Sequence, residues 1–221
     1  MTPTNGRLLR GVIFDMDGVL VLSEPLLAQA AIHMFAEKGF TVRHEEFRPY
    51  IGMGEDRFIG GVALDRGIPL DPARDKARTY ALYLELIKGK LKPLPGVLEF
   101  VAECRRGGLA LAVASSADAI KVEGNLSEIG LPASTFDVVV NGSMVARKKP
   151  APDIFQEACR RLDLASAACL VIEDAIAGVA AAKAAGARCL AVTTSVPAEK
   201  LTQADWIAAN LHEAPREALA W

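Results

Sequence analysis

Two aspartates two residues apart, Asp15 and Asp17, stand where the apolar run Val12-Ile13-Phe14 breaks into Gly18. Buried strands usually end in neutral turn residues, and acids this close repel unless a cation lies between them. A regular strand would send both side chains to one face, so one site could use both. Asp and Gly also favour turns, and an Asp-x-Asp-Gly sequence by itself is equally an ordinary turn. Three other polar features follow short apolar runs: Ser115-Ser116 after residues 109–114, Lys149 after 138–140, and Glu173-Asp174 after 169–172. Each has a conformational reading: Ser115 as a helix cap, Lys149 as a solvated loop charge, Glu173-Asp174 as acids at a helix start. Their joint arrival at one edge favours chemistry.

That chemistry is phosphoryl transfer. An aspartate attacking a phosphate dianion at ~4 Å, with an effective dielectric of ~20, faces about 4 kcal/mol per pair of unit charges, hence about 8 in all. A cation must offset this. Carboxylates converging without His or Cys partners specify a hard, oxygen-seeking ion, hence Mg²⁺. Lys149 would add a fixed positive charge, and Ser115 a hydroxyl donor for phosphoryl oxygens.

The elements that must bring these groups together are legible in outline. Near-continuous apolar runs at residues 9–14, 109–114, 138–140, 169–172 and 189–192 read as strands buried on both faces, with 206–208 as a sixth. Helical patterns at 118–130, 152–162 and 175–185 fill the later intervals. The alternation predicts an α/β fold, a Rossmann-like doubly wound parallel sheet, whose ligands gather beyond the carboxyl ends of the strands. Residues 25–38, 45–50, 55–66 and 73–88 read instead as successive helices without a strand, and 97–106 as a helix leading into the second strand. The expected organisation is a catalytic core of residues 1–24 plus 93–221, carrying an inserted all-helical cap at 25–92.

A net charge of −2 gives no footprint of a nucleic-acid binder. No apolar stretch is long enough to span a bilayer, and residues 1–10 show no signal segment. Cys104, Cys159, Cys169 and Cys189 are scattered, which argues against a zinc site or a disulfide framework and fits a reducing compartment. These features predict a cytoplasmic monomer with no nucleic-acid or membrane partner. His33, His44 and His212 lack metal-ligand spacing; Met34, Phe35 and Phe40 read as core of the helical insertion.

The four features, in order, resemble the motifs of the haloacid dehalogenase superfamily, in the subgroup similar to β-phosphoglucomutase and small sugar-phosphate phosphatases. Asp15-Met16-Asp17-Gly18-Val19 resembles the first motif and Val113-Ala114-Ser115-Ser116 the second. Lys149-Pro150-Ala151-Pro152-Asp153-Ile154-Phe155 resembles the third, and Ile172-Glu173-Asp174-Ala175-Ile176-Ala177-Gly178 the fourth. The resemblance spans essentially the whole chain, cap included. It implies that Asp15 is the nucleophile forming an aspartyl-phosphate and Asp17 the general acid, then general base. It implies a Mg²⁺ site from Asp15, Asp174, Glu173 and the backbone carbonyl of Asp17, with Ser115, Ser116 and Lys149 holding the phosphoryl group. Asp17 also argues against dehalogenation, since dehalogenases of the superfamily do not keep it.

The cap, which sets the substrate, departs from the mutase pattern. Leu22-Ser23-Glu24-Pro25-Leu26-Leu27 is similar to the subgroup's DSEPLH, with Leu22 for Asp and Leu27 for His. The loop Ile51-Gly52-Met53-Gly54 lacks basic residues beside its first glycine; Arg57 and Arg78 are the substitutes for gripping substrate, or else solvated helix charges. Asp118 puts an acid where the mutase has a base, or caps the following helix. The balance predicts a phosphatase acting on a small phosphorylated metabolite, such as a sugar phosphate. The alternatives are a mutase of the same fold and a binding domain without turnover.

Overall fold

Valine-, isoleucine- and alanine-rich runs too short for helices pair edge to edge in the computed structural model, which describes residues 8–50 and 54–221. The strands are β1 (Gly11–Phe14), β2 (Ala110–Ala114), β3 (Val138–Val140), β4 (Cys169–Glu173), β5 (Arg188–Val192) and β6 (Trp206–Ala208). They form one parallel sheet in the order β3-β2-β1-β4-β5-β6, the doubly wound arrangement expected. Phe14 lies level with Val113 on one side and Ile172 on the other. Asp15, Ala114 and Glu173 therefore leave the sheet in step, with Ser115 one residue beyond. The strand order reverses between β1 and β4, so the crevice opens where Asp15 and Glu173 emerge.

Seven α-helices accompany the strands among the described residues: α1 (Glu24–Glu37), α2 (Glu55–Asp65), α3 (Pro72–Ile87), α4 (Val97–Arg106), α5 (Ala119–Glu128), α6 (Asp153–Leu162) and α7 (Ile176–Ala184). Both faces of the sheet are covered, and its central strands are apolar up to Glu173 at the end of β4. Phe14, Leu111, Val113, Ile172 and Leu190 face one core; Ile13, Ala112, Ala114, Val171 and Ala191 face the other. Small residues on the second face let the alanine-rich α7 lie close.

Helices α1 to α3 all lie between β1 and β2 in sequence. Pro25 sits in the first turn of α1 and Pro72 in that of α3, where a missing N–H costs nothing. Asp71 caps α3 by accepting a hydrogen bond from the Arg74 N–H at 3.1 Å. The helix expected at 45–50 is a 3-10 stretch, His44–Tyr50, because Pro49 removes a donor needed for α-helical bonding. Its Phe47 stacks on Phe58 of α2, ring centres 4.8 Å apart, beside Phe35 of α1. Met34 and Phe35 are buried, as their spacing predicts, and all four cysteines are buried free thiols. Among the described residues no helix is long and apolar enough to cross a membrane. The absence of a signal segment at residues 1–10 and the glycine loop at 51–54 concern positions largely outside the described residues.

Candidate active site

Three carboxylates converge at the switch point of the sheet. Oxygens of Asp15, Glu173 and Asp174 all lie within 4.8 Å of one another, and all three residues are buried. Lys149, carried on the loop between β3 and α6, reaches in from the side. Its Nζ lies 2.6 Å from Asp15 Oδ1 and 2.6 Å from Glu173 Oε1, and over the Phe155 ring. Glu173 is the most firmly held of the set. Its Oε2 also accepts hydrogen bonds from the backbone N–H groups of Asp174 at 2.8 Å and Ala175 at 3.0 Å, leading into α7. The Ser195 hydroxyl donates to Asp174.

Two glycines make room for this cluster. A Cβ on Gly18, whose φ is +80°, would fall 1.7 Å from Asp174 Oδ2. A Cβ on Gly178, in the first turn of α7, would fall 1.8 Å from Glu173 Oε1. The first- and fourth-motif glycines are thus where carboxylates press against backbone.

The electrostatics are those of a site built around a cation. Burial, and secondarily Glu173, push Asp15 up to about 7 against the pull of Lys149. Burial, then Glu173 and Asp15, push Asp174 up to about 8. Burial disfavours the Lys149 charge, yet Asp15 and Glu173 hold its pKa above the ordinary lysine value. Three oxygen-donor acids with one lysine leave excess negative charge, and the all-oxygen donor set suits a hard divalent ion. The residues present fit the metal.

Ser115 follows β2 and is buried; its Oγ accepts a hydrogen bond from the Ala117 N–H at 3.1 Å, leaving the hydroxyl hydrogen to donate. It therefore does not cap α5. Ser116 lines the adjoining cleft, and its carbonyl accepts from Lys148 at 3.0 Å. Asp17 stands apart from the three converging acids: the Ser23 hydroxyl donates to Oδ1, and Lys121 Nζ lies 2.7 Å from Oδ2. The Asp17 side chain thus lies outside the carboxylate cluster, at the edge of the cleft.

The cleft above lies between sheet and inserted helices, lined by Asp17, Glu24, Leu27, Phe58, Ser116 and Lys121 among others. Leu22 opens instead onto a neighbouring hollow with Phe47, Phe58 and Ser195. Arg57 is exposed and absent from the described lining of either. Arg78 does not face the cleft: it pairs with Glu37 at 2.6 Å on the outer surface of α1 and α3. Asp118 precedes α5 without capping it and instead accepts from Tyr80 at 3.0 Å, with Lys76 Nζ also at 3.0 Å.

Lys121, Ser23 and Ser195 are the site residues that sequence reasoning passed over. Lys121 carried a signal. It lies in the first turn of a helix whose buried face runs through Val122, Asn125 and Leu126, where the helix dipole disfavours a cation without an acidic partner. Ser23 and Ser195 carried none, being small hydroxyl residues in loops.

The haloacid dehalogenase-like hydrolase family matches residues 9–186. The chain is 46% identical over 191 residues to Protein SUPPRESSOR OF QUENCHING 1, chloroplastic, of Arabidopsis thaliana, covering 84% of this chain but 18% of that longer protein. It is 30% identical over 189 residues to hexitol phosphatase B of Escherichia coli K12, covering 84% of each. A crystal structure of a mutant CbbY from Rhodobacter sphaeroides in complex with xylulose-(1,5)bisphosphate superposes with a TM-score of 0.87 at 29% identity, covering 96% of this chain and 100% of that one.

Proposed function

The chain belongs to the haloacid dehalogenase-like hydrolases, and from that membership we propose that it is a Mg²⁺-dependent phosphatase of a small phosphorylated metabolite. The observation that carries the reading is the convergence of Asp15, Glu173 and Asp174 around one point, with Lys149 Nζ 2.6 Å from two of them. The name of one relative, a hexitol phosphatase, and the xylulose bisphosphate bound in the crystal structure of another support the sugar-phosphate class.

Asp15 is the nucleophile. Its carboxylate forms a bond to phosphorus while the bond to the ester oxygen breaks, and that oxygen takes a proton from Asp17. Water then attacks the phosphorus of the aspartyl-phosphate, the bond to Asp15 breaks, and Asp17 takes the water's proton. Lys149 and Ser115 hold the phosphoryl oxygens, with Ser116 at the edge of the same pocket. Mg²⁺, held by Asp15, Asp174, Glu173 and the Asp17 carbonyl, would supply the charge that lets an anion attack a dianion. Residues 25–92 act as a cap that excludes bulk water once the ester is bound.

The cleft favours hydrolysis over a mutase working through a bisphosphate. Its lining among the described residues carries two acids, Asp17 and Glu24, and one lysine already committed to Asp17. A second phosphate meets no surplus of positive charge there. The test is phosphate release from a panel of sugar and small-metabolite phosphates, with Mg²⁺ or with EDTA, beside Asp15→Asn. Turnover requiring both Mg²⁺ and Asp15 is expected, with the variant slower by several decades at about 1.4 kcal/mol of barrier each. Activity unchanged in Asp15→Asn would overturn the mechanism.

A further inference from the structure

Lys121 is buried where two physical effects oppose it. Its side chain is 3% exposed, and it sits in the first turn of α5, the positive end of the helix dipole. Burying an ammonium costs several kcal/mol unless it is paired, and an apolar chain of like length fills such a place without that cost. Asp17, 104 residues away in sequence and 2.7 Å away in space, is a partner that offsets both. The Ser23 hydroxyl engages the other oxygen of the same carboxylate. Behind the pair, Tyr83 of α3 donates to Asn125 of α5, and both are buried.

We propose that Lys121 is a positioning residue: with Ser23 it clamps the Asp17 carboxylate in one orientation at the mouth of the substrate cleft. The inference rests on the acid/base role assigned to Asp17 above. A carboxylate on a single-carbon stem, left unclamped, turns among several orientations, only one of which meets the leaving oxygen. Holding it there is the gain that geometry gives a proton transfer. Lys121 lies outside the cluster of Asp15, Glu173 and Asp174, and acts through Asp17.

Leaving-group dependence separates this role from others. A p-nitrophenolate leaves without receiving a proton, whereas phenolate benefits from one, and the two esters are nearly the same shape. The holoenzyme with Mg²⁺ is assayed for kcat and KM on p-nitrophenyl phosphate and phenyl phosphate, as wild type, Asp17→Asn, Lys121→Met and Ser23→Ala, with circular dichroism to verify folding. General acid catalysis contributes roughly 10²–10⁴-fold, and Asp17→Asn should lose on that order in kcat/KM on phenyl phosphate and far less on the nitro ester.

Lys121→Met should show the same preference at about 10-fold or more, with KM little changed, and Ser23→Ala should show it more weakly. Equal losses on both esters would mean a merely structural lysine, and a rise in KM alone would mean a lysine that grips substrate; either result overturns the proposal. Should Lys121→Met not fold, the absence of any leaving-group preference in Ser23→Ala overturns it. A flat response in Asp17→Asn itself removes the acid/base role and the clamp together, whereas loss of the preference only in the clamp variants leaves that role standing.

Discussion

Replacing Gly178 by alanine sets two effects of opposite sign against each other. Gly178 lies inside α7, and alanine in place of glycine in a helix ordinarily gains up to about 1 kcal/mol. Here the new Cβ falls 1.8 Å, 1.9 Å and 2.2 Å from the three carboxylate atoms of Glu173. No flexible chain end can slip aside, because Glu173 is held by Lys149 at 2.6 Å and by two backbone N–H groups at 2.8 Å and 3.0 Å. Hydrogen bonds to a charged group contribute about 1.5–3 kcal/mol each, so losing two costs roughly 3–6. After the helix gain the net destabilisation is about 2–5 kcal/mol, a fall in Tm of roughly 5–15 °C for a chain of this size. Gly60, inside α2, is the control: an added Cβ meets nothing within 4 Å, so Gly60→Ala should be neutral or stabilising. Calorimetry on both variants reads the sign directly. Equal stabilisation by Gly178→Ala and Gly60→Ala would refute the reasoning.

Four further expectations follow from the same cluster and its surroundings. Gly18→Ala, at φ +80° and with its Cβ 1.7 Å from Asp174 Oδ2, should weaken Mg²⁺ binding at least about 10-fold by titration calorimetry; unchanged affinity would remove Asp174 from the ligand set. Asp15 and Asp174 rise from the ordinary 3.8 to about 7 and about 8, so the metal-free native state binds more protons than the unfolded chain between about pH 4 and pH 8. Its stability should therefore fall as pH rises through that window, with a slope of about 1.4 kcal/mol per pH unit for each extra proton held. Mg²⁺ binding should accordingly release protons and tighten from pH 6 to pH 8; heats identical in buffers of different ionisation enthalpy would contradict this. Asp118→Ala, which removes the acceptor for Tyr80 and the partner of Lys76, should cost about 0.5–1.5 kcal/mol in urea denaturation.

What the sequence disclosed and what it hid follow from the range over which each signal acts. Strands and core helices were legible because burial on both faces writes itself locally, as a run such as Cys169–Glu173 bounded by turn residues. Asp15, Ser115, Lys149 and Glu173-Asp174 were legible because a parallel sheet delivers every strand end to one edge, so position along the chain already implies proximity. The cap residues had no such rule. Arg57 and Arg78 were candidates for their charge alone, and charge does not say which side of a helix faces the cleft; Arg78 finds Glu37 on the outer surface instead. Lys121 shows the converse case. Its partner lies on another element, so no spacing in the chain joins them, and only the conflict between a lysine and the inward start of a helix marked it. A polar residue at odds with its local environment, when no neighbour in sequence explains it, points to a partner that the fold supplies. In this chain that partner is the carboxylate proposed to move the proton.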